Sequence, residues 1–368
     1  PYRLHLVLVA SAGAVKSAAT YQNQMQAVGT LLDGDVNGTL QRMSGDLKKV
    51  SIDTGASLSD LSSGLYDVVS AFGESEENVK QLEIASKAAK AGAATTSDSV
   101  ALLSAVTKGY GDTSAEAMQK ASDLAFQTVK LGQTTFPELA SSIGQVVPLA
   151  STLKVSQEEL FGAMATLTGV TGGTAEVTTQ LKATMQGFLS PSNEMAKSLK
   201  SLGYESGAAA LEQEGLDGIL KKLKDSVNGD EVAFANLFSS VEAKNAVLAL
   251  AGNQAENFST KTAAMVTASG AADKAFKTQN ASGSEMMGKV KNAGSVMLTS
   301  LGEKALPYIT AGLEKLVDRL PEMEAAFDRI AERAGPVLET VSSTIQNAYH
   351  TCRPIVEQFA GTFAAAFV

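Results

Sequence analysis

Along most of this chain apolar residues return every three or four positions, the spacing of one buried face on a helix. Tyr21, Met25, Val28 and Leu32 share such a face in a helix predicted over 17–32. Leu58, Leu61, Leu65, Val68 and Val69 share another, and Leu124, Val129 and Leu131 close a third near Gly132. Strand-like alternation is scarce. Val146-Val147-Pro148 is the one stretch that could run extended, and Pro148 there reads better as a helix end. The pattern predicts an all-α fold.

Polar punctuation divides the pattern into units. Thr135 with Glu138, Ser156 with Glu159 and Thr113 with Glu116 have the spacing of capping boxes, in which a hydroxyl and a carboxylate exchange bonds with the first turn. Pro137 suits a first turn, and Gly132 and Gly172-Gly173 are stop signals. These marks predict helices over 136–150 and 157–170, joined near Leu153, with Phe126, Phe136, Leu139, Ile143, Leu160 and Met164 in their core. Further starts fall near Ser57, Ser97 and Thr174, and near Ser75 and Ser192. Each series recurs at about 39 residues, close to the length of a two-helix solenoid repeat. No residue signature repeats with it, so the period is structural. It predicts successive helical hairpins.

The pattern then changes. Ser190-Pro191-Ser192 starts a helix that stops at Leu202-Gly203, and residues 204–218 look looser. Ile219, Leu220 and Leu223 oppose Lys221, Lys222 and Lys224. Leu237, Phe238, Val241, Val247, Leu248 and Leu250 predict two short apolar helices. Residues 252–300 are rich in Ala, Ser, Thr, Asn and Gly and read as a linker or a weakly packed, mobile helix. From Leu306 the apolar positions step by three and four through Ile309, Leu313, Leu316, Leu320, Met323, Phe327, Ile330, Ala334, Val337 and Val341. That is a heptad seam, the signature of helices that associate side by side. Pro307, Pro321 and Pro336 fall off the seam, and the last two predict kinks or restarts. The fold expected is therefore all-α: helical hairpins followed by a long, proline-interrupted heptad helix region. The seam is read as an oligomerisation surface, against the alternative of a hairpin packed within the chain.

Composition sharpens this picture. Of 368 residues 44% are hydrophobic, yet aromatics reach only 5% and Trp is absent. Small residues let backbones approach closely but bury little area each, which favours extended helical packing over one thick core. With 39 acidic against 30 basic side chains the net charge is −9, which argues against a partner that tracks nucleic-acid phosphates. The single cysteine, Cys352, excludes an intrachain disulfide. The chain opens on Pro1, not Met, and reads as a piece of something longer. Residues 4–15 have a signal-like apolar core, but they read better as a buried segment cut from its upstream context, and they are too short to span a bilayer.

Candidate chemistry is sparse. His5 and His350 lie at opposite ends, and no Cys or His cluster has zinc spacing. Asp33-Gly34-Asp35-Val36-Asn37-Gly38 matches the first half of a calcium loop, but Ser44 stands where the bidentate Glu belongs. Asp33, Asp35 and Asn37 are therefore read as an ordinary turn between helices. Glu76-Glu77 and Glu158-Glu159 occupy first turns, where they complement the helix dipole. No catalytic, cofactor-binding or metal residue is assigned, and no cofactor is expected.

Several segments, in order, resemble the conserved core of TP901-type phage tail tape measure proteins. They are YQNQMQAVGTLL (21–32), GASLSDLSSGLYDVVSAFG (55–73), ASKAAKAGAATTSDSVALLSAVTKGYG (85–111), 122–168, SPSNEMAKSLKSLGY (190–204) and NLFSSVEAKNAVLALA (236–251). The runs AKAG at 89–92 and DLAFQTVKLGQTT at 123–135 are the most specific. The resemblance implies a structural, non-enzymatic protein. Its copies, three or six in the family, lie in the growing tail tube, help set tail length and leave ahead of the DNA during ejection. It implies contacts with tail tube protein, baseplate or tail-tip hub proteins, assembly chaperones and the host envelope, and no specific nucleic acid. It also implies residence in the virion, and in the host cytoplasm during assembly. The expected divisions are a leading segment (1–50), the core (51–251), a linker (252–300) and the heptad tail (301–368). Two other readings stay open: a helical scaffold unrelated to tails, and the non-catalytic part of a cell-wall-cleaving enzyme.

Overall fold

Short polar residues set the helix starts. The computed structural model describes residues 2–283 and 285–307. In it Ser57, Thr95, Ser114, Thr135, Ser156, Ser192, Ser206, Asp230 and Ser240 each accept a first-turn N–H of the helix they open. Each bond satisfies one of the backbone donors that a helix start leaves unpaired. The helices are α1 (Tyr2–Gly29), α2 (Val36–Thr54), α3 (Leu58–Phe72), α4 (Asn78–Ala91), α5 (Thr96–Tyr110) and α6 (Ala115–Leu131). There follow α7 (Phe136–Ser142), α8 (Val147–Thr152), α9 (Gln157–Leu167), α10 (Thr174–Leu189) and α11 (Asn193–Ser201). The series continues with α12 (Gly207–Ser226), α13 (Glu231–Asn236), α14 (Val241–Leu250), α15 (Ala255–Val266) and α16 (Ala271–Asn280). Residues 285–307 are also helical. No strand occurs among the described residues, where the only β pairing is an isolated bridge between Thr168 and Gly172. The protein is all-α.

The chain divides into two compact units, one of residues 31–289 and one drawn from 1–30 and 290 onward. In the larger unit, α3, α5, α7–α8 and α10 follow one another along one layer, and α2, α4, α6 and α9 along the other. Side-chain bonds between successive units recur near the expected period. Thr96 Oγ1 donates to Asp60, 36 residues away; the Lys108 ammonium to the Ala71 carbonyl, 37 away; the Ala115 N–H to Glu77, 38 away; and Thr174 Oγ1 to Glu138, 36 away. The structural period is thus carried by polar rungs as well as by apolar faces. Aromatic residues gather at the far end, where Phe238 meets Phe188 and Phe234 edge-on at 5.7 and 6.1 Å between ring centres.

The chain then reverses. α15 packs on α9 and α6, and α16 on α6 and α4, so 255–280 lies back along one layer as a strap. Of the two alternatives expected for these residues, a linker or a weakly packed, mobile helix, the structure shows a helix, but a closely packed one. Their Ala, Ser and Thr content signals close packing, anchored by buried Phe258, Met265 and Phe276.

Local corrections have local causes. α1 starts well before residue 17. The helix predicted over 136–150 is broken into α7, a 3-10 turn at Ile143–Gln145 and α8, and Pro148 stands in the first turn of α8 instead of ending a helix. α9 ends at Leu167, three residues early. The fifth helix starts at Thr95, whose box partner is Asp98, and not at Ser97. Ser114 displaces Thr113 as cap because Asp112 accepts the Ser114 N–H. Ser75 does not cap α4; Asn78 Oδ1 accepts its N–H instead. Gly173, not Thr174, precedes α10. Asp35 caps α2 by accepting the Gly38 N–H, so the calcium-like hexad forms a helix start. Val241, one of the apolar positions of the predicted pair of short helices, opens α14 and is exposed. Phe126 is only half-buried, whereas Phe136, Leu139, Ile143, Leu160 and Met164 are fully buried.

α12 shows why its region looked loose. Ala210 and Leu211 are buried before residue 215, and Leu216, Ile219, Leu220 and Leu223 after it. On an unbroken helix the two sets would lie about half a turn apart. Gly215, at φ 69° and ψ 176°, breaks the helix and brings both sets inward.

In the smaller unit, residues 290–307 pack on α1. Gly302 allows the approach: a Cβ there would come within 2.2 Å of the Ala14 carbonyl oxygen. Leu306 is buried with Val15, Ala18 and Ala19. Val290, Met297, Leu298 and Leu301 are exposed.

Candidate interaction surface

Side-chain polarity concentrates on the face formed by α4, α6 and the start of α9, where the strap lies. Two lysines on successive helices make equivalent pairs: Lys80 with Glu116 at 2.7 Å and Lys120 with Glu158 at 2.8 Å. The hydrogen bond from Lys80 holds the Glu116 carboxyl below its ordinary range, and Glu116 in turn raises Lys80. Between these pairs and the corner of the strap is a groove of about 610 Å³, with Ile84, Leu124 and Val266 on its apolar side. The Lys80–Glu116 pair is exposed and adds little stability, whereas Glu158 of the second pair is half-buried.

Asp123 is different. It is 4% exposed and sits in the middle of α6. Its two oxygens accept the N–H groups of Gly270 and Ala272 at 2.8 and 2.9 Å. Gly270, which precedes α16, has no side chain to cap that helix, and Asp123 caps it from 147 residues away. Around it the strap is fixed at two more points, and the helix that follows it at a third. Gly162 of α9 faces Thr262 so closely that a Cβ would lie 3.0 Å from the Thr262 Cα. The Lys261 ammonium donates to the Ala165 carbonyl at 2.7 Å, and burial lowers its pKa. Lys90 pairs with Glu285 at 2.5 Å and also donates to the Thr54 carbonyl.

A second node surrounds the break in α12. Ser156 caps α9, but Glu159 does not close the expected box. Its Oε1 accepts the Leu216 N–H at 2.6 Å and so caps the second half of α12. Glu214, one residue before the break, pairs with Lys222 at 2.7 Å and accepts from the Tyr204 hydroxyl at 2.7 Å; these bonds, Lys222 first, lower its pKa. Tyr110 donates to the Val155 carbonyl, and burial pushes its hydroxyl pKa up, with Glu158 and Glu159 adding to the shift.

These arrangements hold helices. They bring no nucleophile, base and acceptor together, and among the described residues no cluster of three or more His, Cys, Asp or Glu could hold a metal ion. No helix among them is long and apolar enough to cross a membrane. Of the seam residues, Leu306 lies on α1. Ile309, Leu313, Leu316, Leu320, Met323, Phe327, Ile330, Val337 and Val341, together with His350 and Cys352, fall outside the described residues. Sequence reasoning missed Asp123 and the second role of Glu159. The signal for Asp123 was present: an acid flanked by Ser122, Leu124 and Ala125 on the inward face of an amphipathic helix.

The extent of this fold coincides with a known family. Residues 44–252, more than half of the chain and nearly all of the solenoid, match the phage-related minor tail protein family. The chain belongs to that family. It is also similar to a probable tape measure protein of Clostridium phage phiCD119, 24% identical over 357 residues. That alignment takes in 92% of this chain and 38% of the relative, so the chain spans under half of the relative's length. No solved structure matches it. The resemblance read in the sequence to phage tail tape measure proteins is upheld, and membership gives the protein a structural role in the phage tail and a place in the virion.

Proposed function

We propose that this chain is the folded core of a tape-measure-type tail protein. It scaffolds assembly of the tail tube, contributes to tail length and departs ahead of the DNA at ejection. The observation that carries this reading is the coincidence of the family match with the solenoid at 44–252. Its partners would be tail tube protein, baseplate or tip hub proteins and assembly chaperones, with the host envelope met on ejection and host cytoplasm as the place of assembly. Copies, three or six by family resemblance, would associate through the seam Ile309, Leu313, Leu316, Leu320, Met323, Phe327, Ile330, Val337 and Val341. The proposed divisions keep a leading segment over 1–50, the core over 51–251 and the heptad tail over 301–368, with 252–300 assigned to the core's return instead of a linker as far as Asn280.

Length arithmetic limits the ruler role. An unbroken 368-residue helix would reach about 550 Å at 1.5 Å per residue. A two-layer solenoid folds most of that length away. Any ruler therefore lies elsewhere in the full protein, and this core acts as an end-piece. Deleting one repeat from 55–250 in a phage should abolish tails or leave them misassembled. Normal tails shortened in proportion to the deletion would sink the assignment.

A further inference from the structure

We propose that the outward side of the helix over residues 290–307 docks an acidic amphipathic helix of another protein. This stretch has two faces. Val296, Thr299 and Leu306 are buried, and Gly302 meets α1. On the opposite side Val290, Gly294, Met297 and Leu301 follow one another at steps of four, three and four. All four are exposed, Val290 by 67% and Met297 by 66%. Leu298, also exposed, lies beside them. On a helix these five positions fall within an arc of about 100°. So narrow a strip at heptad spacing is the seam that one helix offers to another. A helix lying in a bilayer surface turns a strongly charged face to water. Here that face is packed on α1 instead. A Cβ at Gly294 would meet nothing within 4 Å, so the middle of the strip is open to a close approach.

The charge around the strip has one sign. Helix geometry puts Lys291 at one border and Lys304 at the other. Both are exposed, and neither takes part in an ion pair among the described residues. Glu303, the acid of residues 290–307, lies on the side turned away from the strip. The chain as a whole carries −9, so this basic border stands against the average of its surface. Charges beside a helix seam select the partner. A helix with acids at its flanks fits here, and one with bases is repelled. Docking at this strip is independent of any association between copies through the seam that starts at Ile309.

The test uses the full 368-residue chain and labelled synthetic peptides about three heptads long, with Leu along the seam and either Glu or Lys at both flanks. Fluorescence anisotropy at low salt reads binding. The Glu peptide should bind about tenfold more tightly than the Lys peptide, and high salt should shrink the difference. Met297→Glu should abolish binding; the side chain is exposed, so the fold is kept, which circular dichroism checks. Exchanging both Lys291 and Lys304 for Glu should reverse the preference between the peptides. No binding of the Glu peptide, equal binding of the two, or binding that survives Met297→Glu would each overturn the proposal. The same variant tests the other occupants. An oligomer of the chain alone that is lost on Met297→Glu gives the strip to a second copy. Phosphatidylserine vesicles that bind the chain but not this variant give it to lipid. Either result overturns the partner helix, whereas unchanged sedimentation and unbound vesicles support it.

Discussion

Asp123 acts, at the scale of one residue, on a helix start 147 positions away. Its carboxylate replaces water for two N–H groups at the start of α16. Asp123→Ala leaves both donors without that acceptor, and we expect a loss of about 2–3 kcal/mol in denaturant unfolding. Asp123→Asn keeps one oxygen and should lose less. An alanine variant as stable as the parent would show that the carboxylate does not hold the strap. The two glycine environments give opposite signs. Gly215→Ala forces a side chain into φ 69° and puts its Cβ 2.3 Å from Glu159, so it should cost about 2–4 kcal/mol. Gly45→Ala, inside α2 with open space around it, should stabilise by about 0.5–1 kcal/mol, and thermal melts of the pair measure both. At this scale the sequence offered for Asp123 only an acid on an inward helix face, and Gly215 passed as part of a loose stretch. It did not show their partners, because the Asp123 bond spans 147 positions and nothing short of the fold brings its ends together.

Elements were legible where their signals are local. Ser57, Thr135, Ser156 and Ser192 could be read as starts because a cap needs only its own first turn. The period followed from them. The strap was not legible, because Ala, Ser and Thr at close helix contacts look the same in sequence as Ala, Ser and Thr in a linker. α12 was half legible: the apolar set Ile219, Leu220 and Leu223 was read as a helix face, but the set at Ala210 and Leu211 was passed over as looseness because Gly215 breaks the phase between them. Glu159 supports that break, and its removal should be felt at a distance. Glu159→Gln exchanges a charged acceptor for a neutral one at the Leu216 N–H. We expect a loss of about 1–2 kcal/mol and faster amide exchange at the start of the second half of α12, with α9 itself little changed. Faster exchange confined to α9 would mean that Glu159 serves only its own helix.

A solenoid whose units touch only their neighbours unfolds in one dimension, each repeat opening at its own cost plus that of the adjoining interface. The unit at 31–289 departs from that rule because the strap touches α9, α6 and α4 in turn. It thereby links three successive members of one layer that would otherwise communicate only stepwise. Low aromatic content makes this linkage matter, since each repeat buries few large side chains and would open cheaply alone. Native-state hydrogen exchange reads the coupling. In the parent chain the slowest amides of α4, α6 and α9 should open with a common free energy and a common dependence on denaturant. Phe276→Ala removes the anchor on α4 while leaving Phe258 and Met265 on the rest of the strap. α4 should then open by itself, at a free energy lower by about 2–4 kcal/mol, the cost of truncating a buried phenylalanine, while α9 keeps its parent value. If α4 and α9 fall together, the unit is cooperative through its two layers and the strap is only a covering. If they already differ in the parent, the strap couples nothing.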